Sequence, residues 1–320
     1  MRDLTLARAA LITIAIISCV SCGGGKSGDT PTAPTPAVGS IPQTSSPLPY
    51  GQATGGAGVP CPAGIGPPAG STCSSLVVLC PSVASASATL RMTRPVSTAL
   101  NRGTIVLTTG SAGTNFTDSF LTNSMISTFV ADGLTVVQLA WDPPGIWGDP
   151  RARTVACRYA TAAKWIYDSV HMGGRTRLFA AQGTSGGAGQ IAFGLAHYGV
   201  SDFVDLANLG GGPPGCPLCP CDGKTAVEPL LPVNLSPGGG CLFPPPSTRD
   251  ALLNYPATVV RSFLGDQDEN HEGTADYARA YYAAITSTKS FTTVSNTPHV
   301  VESTQAGVDA YVAAVRAALK

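Results

Sequence analysis

From residue 104 onward the chain alternates between short runs in which nearly every position is apolar or β-branched and longer segments in which apolar positions recur every three or four residues. The short runs are 104–109 (TIVLTT), 135–140 (TVVQLA), 177–182 (RLFAAQ), 203–209 (FVDLANL), 258–264 (TVVRSFL) and 290–294 (SFTTV), each bounded by Gly, Asp or Pro. Runs that are apolar at consecutive positions must be buried on both faces, which is the pattern of parallel strands. The longer segments, 152–172, 188–198, 274–285 and 304–319, carry helical periodicity. Strand and helix in alternation predict an α/β fold with a mostly parallel central sheet flanked by helices. No internal repeat and no second domain boundary interrupts the pattern.

The N-terminal part reads differently. Residues 1–8 hold two arginines, 9–17 form an apolar or small run broken by Thr13, and Ser18-Cys19-Val20-Ser21-Cys22 leads into three glycines. A run this short does not span a bilayer, and it reads as an export signal over 1–22. A small residue before a cysteine resembles the bacterial lipoprotein signal, with Cys22 favoured over Cys19 as the lipidated residue. The protein is therefore expected outside the cytoplasm, lipid-anchored to the cell envelope or secreted. Residues 23–60 are Gly, Ser, Thr, Pro and Ala with one aromatic, Tyr50, and predict an extended, disordered tether. The folded domain is expected over 61–320.

Charge and cysteine content narrow the picture. The 320-residue chain has 19 basic and 19 acidic side chains, and only 12% of its residues are charged. That balance argues against nucleic acid as a partner. With 37 glycines and 27 prolines but 43% hydrophobic residues, the chain has material for a large core beside low-complexity sequence. Beyond the two signal cysteines lie Cys61, Cys73, Cys80, Cys157, Cys216, Cys219, Cys221 and Cys241, an even number that an exported chain pairs as disulfides. The Cys216-Pro-Leu-Cys219 spacing also suits zinc, but no histidine lies near it, so disulfides are the expectation and no metal is. The cysteine- and proline-rich stretch 210–250 lacks either periodicity and reads as an insertion beside the site.

One junction carries chemistry. The strand at 177–182 runs directly into Gly183-Thr184-Ser185-Gly186-Gly187 and then into a helix. Gly-x-Ser-x-Gly between strand and helix is the nucleophile elbow: glycines two positions either side of the serine let strand and helix approach while the serine holds a strained backbone. Here the chain resembles the α/β-hydrolase superfamily from about residue 74 to the C-terminus. The resemblance implies an acid and a base later in the chain. Gly265-Asp266-Gln267-Asp268 ends a strand with Gly-x-x-Asp, so Asp268 is the expected acid, Asp266 its near rival, and Glu269 and Asp222 distant ones. Asn296-Thr297-Pro298-His299 supplies the base, His299, before the last helix. The remaining histidines, His171, His197 and His271, read as surface or capping residues.

The resemblance further implies a serine hydrolase working through an acyl-enzyme, with no cofactor. One oxyanion-hole donor is then the N–H of Gly186 and the other comes from the loop after the 104–109 strand, at Ser111 or Gly110; the loop departs from the His-Gly-Gly-Gly form of many lipases. Trp141 and Trp147 are candidate walls of a substrate pocket. The expected substrate is a small-molecule or polymeric carboxylic ester. A peptidase or polyester depolymerase shares the same constellation, and a binding lipoprotein that kept the fold without catalysis is the alternative from another class.

Overall fold

The apolar runs form strands, and within each strand successive side chains face opposite cores. The computed structural model describes residues 46–62, 68–81, 83–97, 101–142, 152–212, 251–268 and 272–319. Outside them lie the expected signal segment with Cys19 and Cys22, the expected tether up to residue 45, Trp147, Asp222, Glu269, His271, Cys216, Cys219, Cys221, Cys241 and nearly all of the expected insertion. Among the described residues nine strands pair into one sheet: β1 (Gln52–Val59), β2 (Thr72–Leu79), β3 (Ala86–Thr93), β4 (Gly103–Thr108), β5 (Leu134–Trp141), β6 (Leu178–Thr184), β7 (Leu206–Gly210), β8 (Val259–Gly265) and β9 (Lys289–Val294), in the order β1-β2-β3-β5-β4-β6-β7-β8-β9. From β5 through β9 every neighbouring pair is parallel, whereas β1–β2, β2–β3 and β3–β5 are antiparallel.

Among the described residues five helices cover the two faces: α1 (Phe120–Ala131), α2 (Ala152–Ser169), α3 (Gly186–Tyr198), α4 (Glu272–Ala284) and α5 (Gln305–Ala318). Ile105 and Leu107 of β4 pack with Met125, Ile126 and Phe129 of α1 and with Val308, Val312 and Val315 of α5. Val106, on the opposite face, joins Tyr159 and Ile166 of α2 and Ile191 and Leu195 of α3. Burial on both faces explains why these strands read as unbroken apolar runs.

Three expectations change. Residues 52–59, expected to belong to the tether, form β1, which pairs with β2 across the sheet edge. Ahead of it, Leu48 N–H donates to the His197 carbonyl at 2.8 Å and Gly51 N–H to Thr161 Oγ1 at 2.8 Å. Composition missed this strand because its stability lies in the backbone and in a missing side chain: a Cβ on Gly55 would stand 2.8 Å from Leu76 Cδ1 and 2.9 Å from the Trp165 ring. Second, the run at 203–209 becomes a strand only at Leu206. Residues Val200–Asp202 form a 3₁₀ turn, and Thr258 Oγ1 shares its one hydrogen between the carbonyls of Val204 at 2.7 Å and Ser201 at 3.1 Å, which therefore face away from a ladder. Third, α1 escaped notice because its core-facing Met125, Ile126 and Phe129 are interrupted by hydroxyl residues. Ser127 and Thr128 donate to the carbonyls four residues back, at 2.8 and 3.0 Å, and Ser119 Oγ caps the first turn.

Disulfides join Cys61 to Cys73 and Cys80 to Cys157. The first closes the β1–β2 hairpin and the second ties the end of β2 to α2.

Candidate active site

The elbow at the end of β6 is built by close approach. A Cβ on Gly183 would lie 2.4 Å from Thr108 Oγ1, and one on Gly187 would lie 2.5 Å from the Thr108 carbonyl oxygen, so β4, β6 and α3 can meet only through glycine at both positions. Ser185 between them adopts φ 54° and ψ −120°, a conformation that costs a non-glycine residue roughly 1–3 kcal/mol and persists only where its surroundings impose it. They do so through backbone bonds: Ser185 N–H donates to the Gly210 carbonyl and its own carbonyl accepts from Gly189 N–H as α3 begins, at 2.9 and 3.0 Å. The serine thus stands at the N-terminus of a helix, where unsatisfied N–H groups gather.

The other predicted members come from the neighbouring strand ends. Asp268 follows β8, His299 follows β9, and His299 Nδ1 lies 2.9 Å from Asp268 Oδ2, with both side chains buried. Asp266, the rival acid, is exposed and accepts from Thr297 N–H at 3.2 Å, so it shapes the loop that carries the histidine. The His299 ring packs on Gly211: a Cβ there would be 2.9 Å from the imidazole Cε1. Gly211 is the residue after Gly210, whose carbonyl holds the serine N–H. His299 and Ser185 therefore flank the same turn at the end of β7.

The loop after β4 closes over the elbow. A Cβ on Gly110 would lie 3.3 Å from Ser185 Cβ and 3.9 Å from its Oγ, and Gly186 packs directly on the backbone of Ser111, which holds φ 52°. The loop is fixed at both ends. Gly113 N–H donates to the Gly110 carbonyl at 3.1 Å and the Gly113 carbonyl accepts from Trp141 N–H at 2.8 Å. At the far end, Arg91 of β3 donates through Nε to Gln138 Oε1 at 2.7 Å and through both Nη atoms to Asp118, its guanidinium lying 4.3 Å from the Phe116 ring centroid. Gln138 Nε2 completes the anchor by donating to the Thr117 carbonyl at 3.2 Å.

Trp141, expected on a pocket wall, is 1% exposed and sits in the core between sheet and helices. Its indole N–H donates to Gln190 Oε1 of α3 at 3.2 Å, so its place is to brace the Gly110–Gly113 loop against the helix behind the serine. Sequence reading could not separate the two because a tryptophan at a strand end serves equally as wall or brace. His171 and His197 are buried instead of superficial. His171 bonds Thr104 Oγ1 and the Gly174 carbonyl, both at 3.2 Å, and burial pushes its pKa down.

A strained serine at a strand-to-helix turn, a buried histidine–aspartate pair and a glycine-bearing loop define the arrangement of the α/β-hydrolase fold, and the chain has that fold. Among solved structures it is similar to acetyl xylan esterase 1 from a Thermoanaerobacterium species, with TM-score 0.54 and 14% identity over 79% of this chain and 85% of that one. It is also similar to a protein described as a hydrolase from Agrobacterium vitis, with TM-score 0.51 and 14% identity over 77% of this chain and 98% of that one. No protein-family model and no curated protein sequence matches the chain.

Proposed function

We propose that the protein is an exported serine hydrolase that cleaves carboxylic esters through Ser185, His299 and Asp268. The observation that carries the reading is the 2.9 Å contact between His299 and Asp268 beside a serine held at positive φ. In this mechanism His299 Nε2 takes the Ser185 proton as Oγ attacks the ester carbonyl, and the anionic oxygen is met by Gly186 N–H and an N–H of the Gly110–Ser111 turn. The imidazolium, stabilised by Asp268, returns the proton to the departing alkoxide. Water, deprotonated by the same imidazole, then releases the carboxylate and restores the serine.

One of the two similar structures is named an esterase, which agrees with this reading. Export, and attachment to a membrane through Cys22 or Cys19, is proposed from the N-terminal sequence alone. Initial rates on a soluble short-chain acyl ester and on a peptide amide test the substrate class. Turnover of the ester is expected, with Asp268→Asn lowering kcat about 10⁴-fold. Cleavage of the peptide without the ester would make the protein a peptidase, and turnover of neither would favour the binding lipoprotein.

A further inference from the structure

Behind the elbow lies a buried carboxyl that the mechanism above does not use. Glu302 sits in the 3₁₀ turn Val301–Ser303, three residues after His299, and is 7% exposed. Thr184 Oγ1, on the residue immediately before the nucleophile, donates to Glu302 Oε2 at 2.5 Å. The same hydroxyl lies 3.2 Å from the Tyr311 hydroxyl of α5. Since the one Thr184 hydroxyl hydrogen goes to Glu302, Tyr311 is the donor in the second bond.

These groups also touch the other residue that holds the nucleophile. Gly210 pairs with Thr184 across β6 and β7 and accepts the Ser185 N–H. The Tyr311 hydroxyl packs so closely on Gly210 that a Cβ there would stand 1.8 Å from it. Glu302 also lines a cavity of about 10 Å³, the room one water takes, together with Leu107, Thr108, Met125, Gln182 and Thr184. None of the described residues lining that cavity is cationic, so Glu302 is buried without an ion partner there, and desolvation pushes its carboxyl pKa up. A lone buried carboxyl is costly, and a hydrophobic residue would fill the space more cheaply. What it provides is a tie between two chain segments 118 residues apart.

We infer that Glu302 is a positioning residue that bolts the turn carrying His299 to the strand carrying Ser185, and so fixes the distance between base and nucleophile. The inference rests on the serine-hydrolase reading. Both reacting groups ride on the bolted segments, so loosening the tie misplaces them relative to each other while leaving the substrate's binding surface alone. A misplacement near 1 Å costs about 10²-fold in rate.

The test compares wild type with Glu302→Ala, Glu302→Gln, Thr184→Val and Thr184→Ser, reading kcat and KM on a soluble ester, the rate of fluorophosphonate labelling of Ser185, and the thermal midpoint. Glu302→Ala and Thr184→Val should each lower kcat and labelling about 10²-fold with KM within about twofold. Glu302→Gln, which still accepts the Thr184 hydrogen, and Thr184→Ser, which still donates it, should restore most of that loss. The isosteric Thr184→Val carries the test if Glu302→Ala fails to fold. Wild-type kcat in folded Glu302→Ala or Thr184→Val would overturn the inference, as would equal losses in Glu302→Ala and Glu302→Gln. Absence of labelling in wild type would instead overturn the serine-hydrolase reading, and the positioning role of Glu302 with it.

Discussion

The two halves of the sheet are held together by different means. On the parallel side, β4 to β9, polar side chains inside the fold are committed to one another: Thr184 to Glu302 and Tyr311, Asn208 Nδ2 to Gln182 Oε1 at 3.3 Å, His299 to Asp268. On the antiparallel side, β1 to β3, the fastenings are a hairpin ladder, a glycine packed under Trp165 and two disulfides. The first half spends buried polar contacts on geometry; the second gains stability without placing any candidate catalytic group. Arg91, on β3, crosses the division, for it anchors the loop that closes over Ser185.

The largest effect should therefore fall on the parallel side and on rate alone. Ser185→Ala should lower kcat on the order of 10⁶-fold with an unchanged or slightly raised thermal midpoint, since it removes a strained residue's hydroxyl and no packing; a collapse in stability would mean the serine is structural. Next in size, replacing Cys80 and Cys157 by serine opens a 77-residue loop and should cost about 4 kcal/mol in denaturant unfolding with kcat preserved at temperatures where the protein stays folded. A matching fall in kcat would show that the antiparallel half reaches the site.

Arg91 is where the division should break. Asp118→Ala leaves a guanidinium with a fully buried side chain short of its charge partner and should destabilise by about 3 kcal/mol. Because the loop that closes over Ser185, the proposed oxyanion hole, is released as well, it should also lower kcat with little change in KM. Combining it with Arg91→Met should recover stability but not kcat, and recovery of both would confine the ion pair to a structural role.

The smallest effect concerns His171. Burial lowers its pKa, so between that lowered value and the ordinary histidine value the folded state binds fewer protons than the unfolded. Stability should fall as pH drops through that window, by up to about 1.4 kcal/mol per pH unit, and be fully present above it. In His171→Gln this part of the slope should vanish from urea midpoints measured across the window, while a persisting slope would assign it to another group.

The parallel half was readable because burial on both faces leaves consecutive apolar residues, and because the elbow needs glycine at 183 and 187 for steric reasons that fix their spacing around Ser185. The chain order of Ser185, Asp268 and His299 was readable for the same reason: each ends a strand or follows one. The antiparallel half left little trace. A strand such as Gln52–Val59, which succeeds by lacking side chains, looks like tether. Glu302 and Arg91 were also invisible, since a single charged residue in an apolar run carries no sign of whether it points to water or inward to a partner 118 or 27 residues away. The Trp141 ring illustrates the remaining difficulty, for only its contact with Gln190 reveals which way it faces.

The proposed mechanism requires Ser185 to be an activated nucleophile. Intact-mass analysis after fluorophosphonate treatment of the full-length protein, Ser185→Ala and His299→Ala tests it without presuming a substrate. A single adduct is expected on the wild-type protein and on neither variant. No adduct on folded wild type, or an adduct that survives Ser185→Ala, would contradict it.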